Sequence, residues 1–287
     1  MRTSAERVIT VPGAASVTLL SLLDGPPRPA RVLGAGPAAL FVIMAEDRGV
    51  FAVCTHDAVR LPLAIVVAPP AVDSPWAGRT GAGDPVTVGR GSVCLPGLTI
   101  QVARWWAPAR PRPVGDGLLA RTVPVLRELL GTAAIDLPAA IGTNLRRLRG
   151  ALATGDPDGA RRAVDAMLGL GPGLTPAGDD AIAGLLLAVH HLGAPRVPAI
   201  TAVRAHVLAA APGRTTAVSA ALLAHAARGD AAPQVIAVLD ALATGCDLPG
   251  AVQALLRLGH TSGGDLAHGI AAGALLVLGR RSTGRAA

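Results

Sequence analysis

Two hydrophobic periods divide the chain. Up to about residue 115, short apolar runs rich in β-branched residues alternate with breaks that carry Gly and Pro. "ALFVIMAE" and "GVFAVCTH" flank the turn Asp47-Arg48-Gly49, the signature of a β-hairpin. "LPLAIVVA", "PVTVGRGSVCL" and "LTIQVARWW" continue the pattern. Prolines at Pro26-Pro27, at Pro69-Pro70 and from Pro108 to Pro113 punctuate it. The pattern predicts a β-rich domain of roughly six to eight strands.

From about residue 118 the apolar positions recur at i, i+3 and i+4, the spacing of a buried helix face. "LLARTVPVLRELLG", "PAAIGTNLRRLRGALATG" and "PDGARRAVDAMLGLG" show it first. "RVPAITAVRAHVLAAA", "TTAVSAALLAHAARG", "APQVIAVLDALATG" and "LPGAVQALLRLG" follow. Several of these runs end on Gly and many start near Pro or Asp, as helices do. About eight or nine helices are predicted. The segment "APARPRPVGDG" (Ala107–Gly117) reads as the linker, because alternating prolines stop both helix and ladder. The expected fold class is α+β, with a β-rich domain over residues 1–115 and an all-α domain over 116–287.

Composition narrows the function classes. Apolar residues make up 51% of the 287, enough for a sizeable core. With two Phe, three Trp and no Tyr, that core packs through Ala, Val and Leu. The formal charge is +7 and every basic residue is Arg. The arginines are scattered, however. Their densest run, "NLRRLRG" (Asn144–Gly150), reads as a solvated helix face without aromatics for base stacking. The charge therefore argues against nucleic acid as a partner. Three distant cysteines make neither a metal spacing nor a disulfide framework and fit a reducing cytoplasm. No uninterrupted apolar run reaches the ~18 residues of a membrane span. Pro12 and Gly13 break the N-terminal stretch where a signal peptide needs continuity. The expected location is cytoplasmic.

The chemistry concentrates in "GLGPGLTPAGDDAIAG" (Gly169–Gly184). Its core "TPAGDDA" (Thr175–Ala181) recurs as "TSGGDLA" (Thr261–Ala267), both fitting T-x-x-G-D-x-A. Each copy leaves a Gly-bearing loop and opens a long apolar helix. The first amides of a helix lack intrahelical partners and, with the macrodipole, attract anions. Gly171, Gly173 and Gly178, and Gly263 in the second copy, would let backbone approach such a ligand. Thr175 is the expected N-cap, and Thr261 or Ser262 caps the second helix. With Ser262 as cap, Asp265 completes a capping box. Capping alone accounts for one acid at a helix start. It does not account for adjacent Asp179 and Asp180, nor for His260 before the second copy. The reading is that both helix starts converge on one pocket. Thr175, Thr261, Ser262 and the loop glycines bind an anionic group there. His260, Asp179 and Asp265 act in proton transfer or substrate orientation. Asp179 and Asp180 are the candidate ligands for Mg²⁺. No dinucleotide fingerprint, Walker lysine or G-x-S-x-G elbow is present.

Three stretches in this order, "GLGPGLTPAGDDAIAG", "TTAVSAALLAHAARGD" and "LGHTSGGDLAHGI", resemble the AllH-like family, a subunit family of oxamate carbamoyltransferase. The resemblance spans about Gly169 to Ile270. It implies carbamoyl and phosphate chemistry in allantoin degradation: oxalurate and phosphate give oxamate and carbamoyl phosphate in a complex of three different subunits. The implied partners are a small anionic metabolite (carbamoyl phosphate, phosphate or an oxamate-like acid) and companion chains. The alternatives are a non-catalytic ligand-binding or assembly subunit and a stand-alone enzyme on a phosphorylated or carboxylated metabolite. Arg214 in "PGRTTAVS", read as opening the helix between the motifs, would pair with a substrate carboxylate. Its plainer reading is a solvated loop arginine, and Thr215 is expected first as an N-cap. "CTHD" (Cys54–Asp57) sets a thiol and an imidazole on one strand face, two ligands where a metal needs more. His190, His191 and His225 fall near helix ends, where a cation suits the dipole.

Overall fold

The computed structural model of the chain describes residues 8–46, 49–67, 74–115, 117–193 and 197–283. The chain folds into two compact units, one ending at Pro108 and the other starting at Ala109.

The N-terminal unit is a closed barrel of eight strands: β1 (Ile9–Ser16), β2 (Arg28–Ala35), β3 (Ala39–Met44), β4 (Val50–Cys54), β5 (Ala64–Val67), β6 (Pro85–Gly89), β7 (Ser92–Leu95) and β8 (Leu98–Trp106). Their order around the barrel is β1-β5-β4-β3-β2-β6-β7-β8. A short helix, α1 (Leu20–Leu23), follows β1. The β3–β4 pair is antiparallel, as the alternation predicted, while its turn residues Asp47 and Arg48, like the Pro69-Pro70 break, lie outside the described residues. The β6–β7 hairpin turns through Arg90 and Gly91, both at positive φ (51° and 69°), the backbone of a type I′ turn. The closing pairs are different: β1 runs parallel to β8, and β4 parallel to β5.

That closure corrects the expected fold class. The sequence pattern predicts a β-rich domain of roughly six to eight strands; a closed eight-stranded barrel is the finding. Alternation along a strand shows which side chains point inward. It carries no signal for parallel partners far apart in sequence, which local turns do not specify. The interior is filled by Val32, Leu40, Phe51, Ile65, Val88 and Ile100, each fully buried, as an eight-stranded barrel requires. Gly13 sits at the register shift of β1, where an added Cβ would come within 2.9 Å of both Ile65 and Ile100. Only glycine lets β1 close between its two neighbours there.

The C-terminal unit is helical: α2 (Leu118–Thr132), α3 (Ala139–Thr154), α4 (Pro157–Asp165), α5 (Ala177–Leu192), α6 (Pro198–Arg214), α7 (Ala217–Arg228), α8 (Pro233–Thr244), α9 (Leu248–Leu256) and α10 (Ser262–Thr283). The segment read as a linker is strapped to this unit from residue 109 onward. Arg110 reaches Asp230 at 2.7 Å, Arg112 grips Asp240 with two nitrogens at 2.7 and 3.0 Å, and the Gly115 amide donates to the Ala243 carbonyl.

At the centre lies α5, buried around nearly its whole circumference, which explains an apolar pattern too broad for a surface helix. Its main neighbour is α10. Their backbones approach so closely that a Cβ on Gly184 would stand 2.2 Å from the Leu266 carbonyl, and one on Gly269 2.2 Å from the Ala181 carbonyl. Among the described residues one helix, Ser262–Arg281, is long and apolar enough to cross a membrane; 67% of it is buried inside this unit.

Candidate functional site

The α5–α10 contact brings the two copies of T-x-x-G-D-x-A together. Thr175 Oγ1 and Ser262 Oγ lie 2.8 Å apart, one hydroxyl donating to the other. Neither serves as the cap that the sequence predicts. The residue preceding α5 is Pro176, and no side chain caps this helix. At α10 the amides of Gly264 and Asp265 donate to the Thr261 carbonyl, so Ser262 is already inside the helix.

The three acids have three different environments. Asp179 is 1% exposed and fully engaged. Its Oδ1 accepts the Gly169 amide at 2.8 Å; its Oδ2 accepts the Ser219 hydroxyl at 2.7 Å and the Thr215 hydroxyl. This carboxylate ties the Gly-rich loop, the α6–α7 junction and the start of α7 into one piece. Asp179→Ala is expected to strand three donors, the Ser219 hydroxyl buried and the Gly169 amide and Thr215 hydroxyl half-buried, and to cost about 3 kcal/mol of folding stability. Urea unfolding followed by helical circular dichroism measures it, and a loss below ~1 kcal/mol would contradict this account.

Asp180 and Asp265 are 7% and 5% exposed, and each keeps one Oδ2 buried without a hydrogen-bond partner. Burial pushes the Asp180 carboxyl up to about 7; the charges of Asp265 and Asp179 add to this, and the Ser262 and Thr175 hydroxyls oppose it. Burial also raises Asp265, against a hydrogen bond from Thr261 and the charge of His268. Two carboxyls that feel each other in a desolvated place share protons readily. The arrangement places two buried carboxyls and two hydroxyls at the seam of two helix starts.

The helix-start amides are mostly closed onto the chain. Gly178 N–H donates to the Leu170 carbonyl and Gly263 N–H to the Leu258 carbonyl, at 2.9 and 3.0 Å. Among the described residues, the first-turn amides of Ala177 and Ser262 keep no protein partner. Gly178 and Gly263 serve close packing instead: a Cβ would stand 2.1 Å from the Met167 carbonyl and 2.0 Å from the Leu255 carbonyl respectively. Gly171 and Gly173 do adopt positive φ in the exposed part of the loop. His260 and Thr261 are exposed at the tip of the second loop. Arg214 ends α6 rather than opening α7, and its guanidinium is held by the Asp165 carboxylate and carbonyl, both at 2.9 Å. Thr216, not Thr215, caps α7 by accepting the Ser219 amide.

Other sequence candidates separate. Cys54 is buried, which pushes its thiol up to about 12, while His56 is exposed. His190, His191 and His225 are all lowered, by burial first, His190 to about 4. They are neutral at pH 7 and do not act as dipole cations. Sequence reasoning left Thr215, Thr216 and Ser219 open between substrate binding and structure, and the fold puts the Thr215 and Ser219 hydroxyls on Asp179. Sequence reasoning missed His268, one helical turn beyond Asp265.

Residues 167–274 match the model of the AllH family, described as oxamate carbamoyltransferase subunit AllH. The matched span contains all three acids and both loops, and it bears out the resemblance carried by the three motifs. No solved structure matches the chain.

Proposed function

We propose that this chain is a subunit of a carbamoyltransferase, and that its helical unit supplies the acid–base centre. The observation that carries this is the seam itself: Thr175 bonded to Ser262 beside the buried, unpartnered Asp180 and Asp265 oxygens. In the transfer, a phosphate oxygen bonds to the carbamoyl carbon and the bond from that carbon to the amide nitrogen breaks. The proton leaving the attacking phosphate passes to a carboxylate, and the departing nitrogen of oxamate takes one from a carboxylic acid. Asp265 and Asp180 are suited to these two roles, since both carboxyls are raised by burial and Asp180 is pushed up to about 7, where it can give a proton near neutral pH. The Thr175 and Ser262 hydroxyls are suited to hold the substrate oxygens.

Both oxygens of Asp179 are taken, so it would not hold the Mg²⁺ that the sequence pattern offered, and Asp180 and Asp265 would hold that ion only with both carboxyls ionised, in place of the proton-transfer roles above. Among the described residues no group of three or more His, Cys, Asp or Glu surrounds such an ion. Ligand phosphate and water would complete its shell, as is common for this cation. Leu170 and Leu174, 39% and 59% exposed on the Gly-rich loop, give a partner subunit an apolar surface to cover.

The test is thermal unfolding of the full chain with carbamoyl phosphate, phosphate or oxamate, each with and without Mg²⁺. A ligand at a hundred times its dissociation constant is expected to stabilise by ~2.7 kcal/mol. Asp180→Asn and Asp265→Asn should remove that shift while leaving the protein folded. The proposal fails if none of the ligands shifts the transition, or if the shift survives in both variants.

A further inference from the structure

Between α2 and α3 lies a groove of about 560 Å³, within the range of small-molecule sites. Both helices pack on α10, which forms the floor through His268, Ala272 and Leu275. Arg127 of α2 and Arg146 and Arg149 of α3 line the walls. Arg146 and Arg149, three apart, share a helix face. The sequence pattern assigns this face to solvent.

The charge here is unusual for this molecule. Arg110, Arg112, Arg161 and Arg214 each hold an aspartate within 2.7–2.9 Å. Among the described residues, Arg127, Arg146 and Arg149 make no ion pair. Arg146 donates to the Thr143 hydroxyl at 3.1 Å, a neutral acceptor on its own helix. The groove holds one acid, Asp136, also without an ion-paired partner. Three guanidiniums over an apolar floor repel one another and focus a positive potential into the groove. An oxyanion relieves that repulsion and matches the planar fork of arginine in two-pronged fashion. The floor adds apolar contact for the rest of the ligand. His268 Nε2 donates to the Ile135 carbonyl at 2.6 Å, which fixes the ring and leaves Nδ1 as an acceptor when neutral. Among the described residues no Phe, Tyr or Trp lines the groove, so a stacked nucleobase lacks a large aromatic platform.

We infer that this groove binds a small metabolite with a carboxylate or phosphate head and an aliphatic body, at a site whose lining includes neither Asp180 nor Asp265. Calorimetric titration of the full chain with butyl phosphate, valerate, inorganic phosphate and pentanol tests it. Butyl phosphate or valerate should bind, and which is tighter identifies the head group. The bare anion and the neutral alcohol should bind at least tenfold more weakly. Arg146→Gln and Arg149→Gln should each weaken binding about tenfold, and Asp136→Asn should tighten it. Arg161→Gln, a charge change outside the groove, and Asp180→Asn, at the seam, should leave it unchanged. These arginines are at the surface, so the variants fold, and circular dichroism confirms that. Absence of binding by both headed probes overturns the inference. So does binding indifferent to Arg146 and Arg149, or an equal loss in Arg161→Gln. A flexible Glu-rich peptide that binds more tightly than either probe would also overturn it, in favour of a docking surface for a chain.

Discussion

Gly269→Ala is expected to destabilise the helical unit by at least ~3 kcal/mol, the upper part of the range for overpacking a core. For a unit of this size that lowers the unfolding temperature by roughly 10 °C. The direction makes the test decisive. In an unconstrained helix interior the same change stabilises by up to ~1 kcal/mol through helix propensity. Here the new methyl would stand 2.2 Å from the Ala181 carbonyl and 2.9 Å from its carbon. These are backbone atoms of α5 and cannot rotate away. Gly150→Ala in α3, where an added Cβ meets nothing within 4 Å, supplies the control and should be neutral or stabilising. If Gly269→Ala behaves like Gly150→Ala in thermal unfolding, the close α5–α10 contact does not exist in solution. The same substitution reaches the seam. Parting α5 from α10 separates Thr175 from Ser262 and Asp180 from Asp265, so ligand stabilisation should vanish with the lost stability.

The packing also shows what was legible in the sequence and what was not. The helix starts at Pro157, Pro198 and Pro233 follow from proline at the first helical position. The repeat of T-x-x-G-D-x-A was plain, and the two copies do touch through Thr175 and Ser262. The repeat misled in one respect. It aligns Asp179 with Asp265, whereas the acid bonded by Ser262 and raised by the charge of Asp265 is Asp180. Successive residues on a helix point about 100° apart, so two adjacent acids meet different neighbours. Asp179 turns to Ser219 and Thr215, and Asp180 to Ser262 and Asp265. Which neighbour stands on which side is decided by long-range packing, which one chain's periodicity does not encode. The barrel closure was hidden for the same reason: β1 meets β8 across almost the whole unit. The arginine groove was hidden because "NLRRLRG" looks alike whether α2 stands opposite it or not.

Asp180→Asn should raise stability and remove transfer activity at once. In the unfolded chain the Asp180 carboxyl ionises near 3.8, and in the folded protein at about 7. Below pH ~4 both states hold the proton and the site imposes no penalty. Between these values the unfolded state releases its proton first, so stability falls as pH rises. Above 7 both states are ionised and the folded state carries the whole penalty, on the order of 4 kcal/mol. The amide cannot ionise. Its variant should therefore keep a flatter profile and exceed the parent by a few kcal/mol at pH 8, with urea midpoints from pH 4 to 8 as the measurement. Asp265 shifts in the same direction, so Asp265→Asn changes the profile with the same sign. The proposed transfer, assayed as carbamoyl phosphate formed from oxalurate and phosphate in the proposed complex, should fall by about 10²–10⁴ in Asp180→Asn, the usual loss on removing a general acid. A capping or packing role for this carboxyl predicts the reverse pair of results, lower stability with activity kept. The proposed function accounts for a buried acid kept at such a cost in folding by chemistry that needs its proton, and the two measurements together separate that account from a structural one.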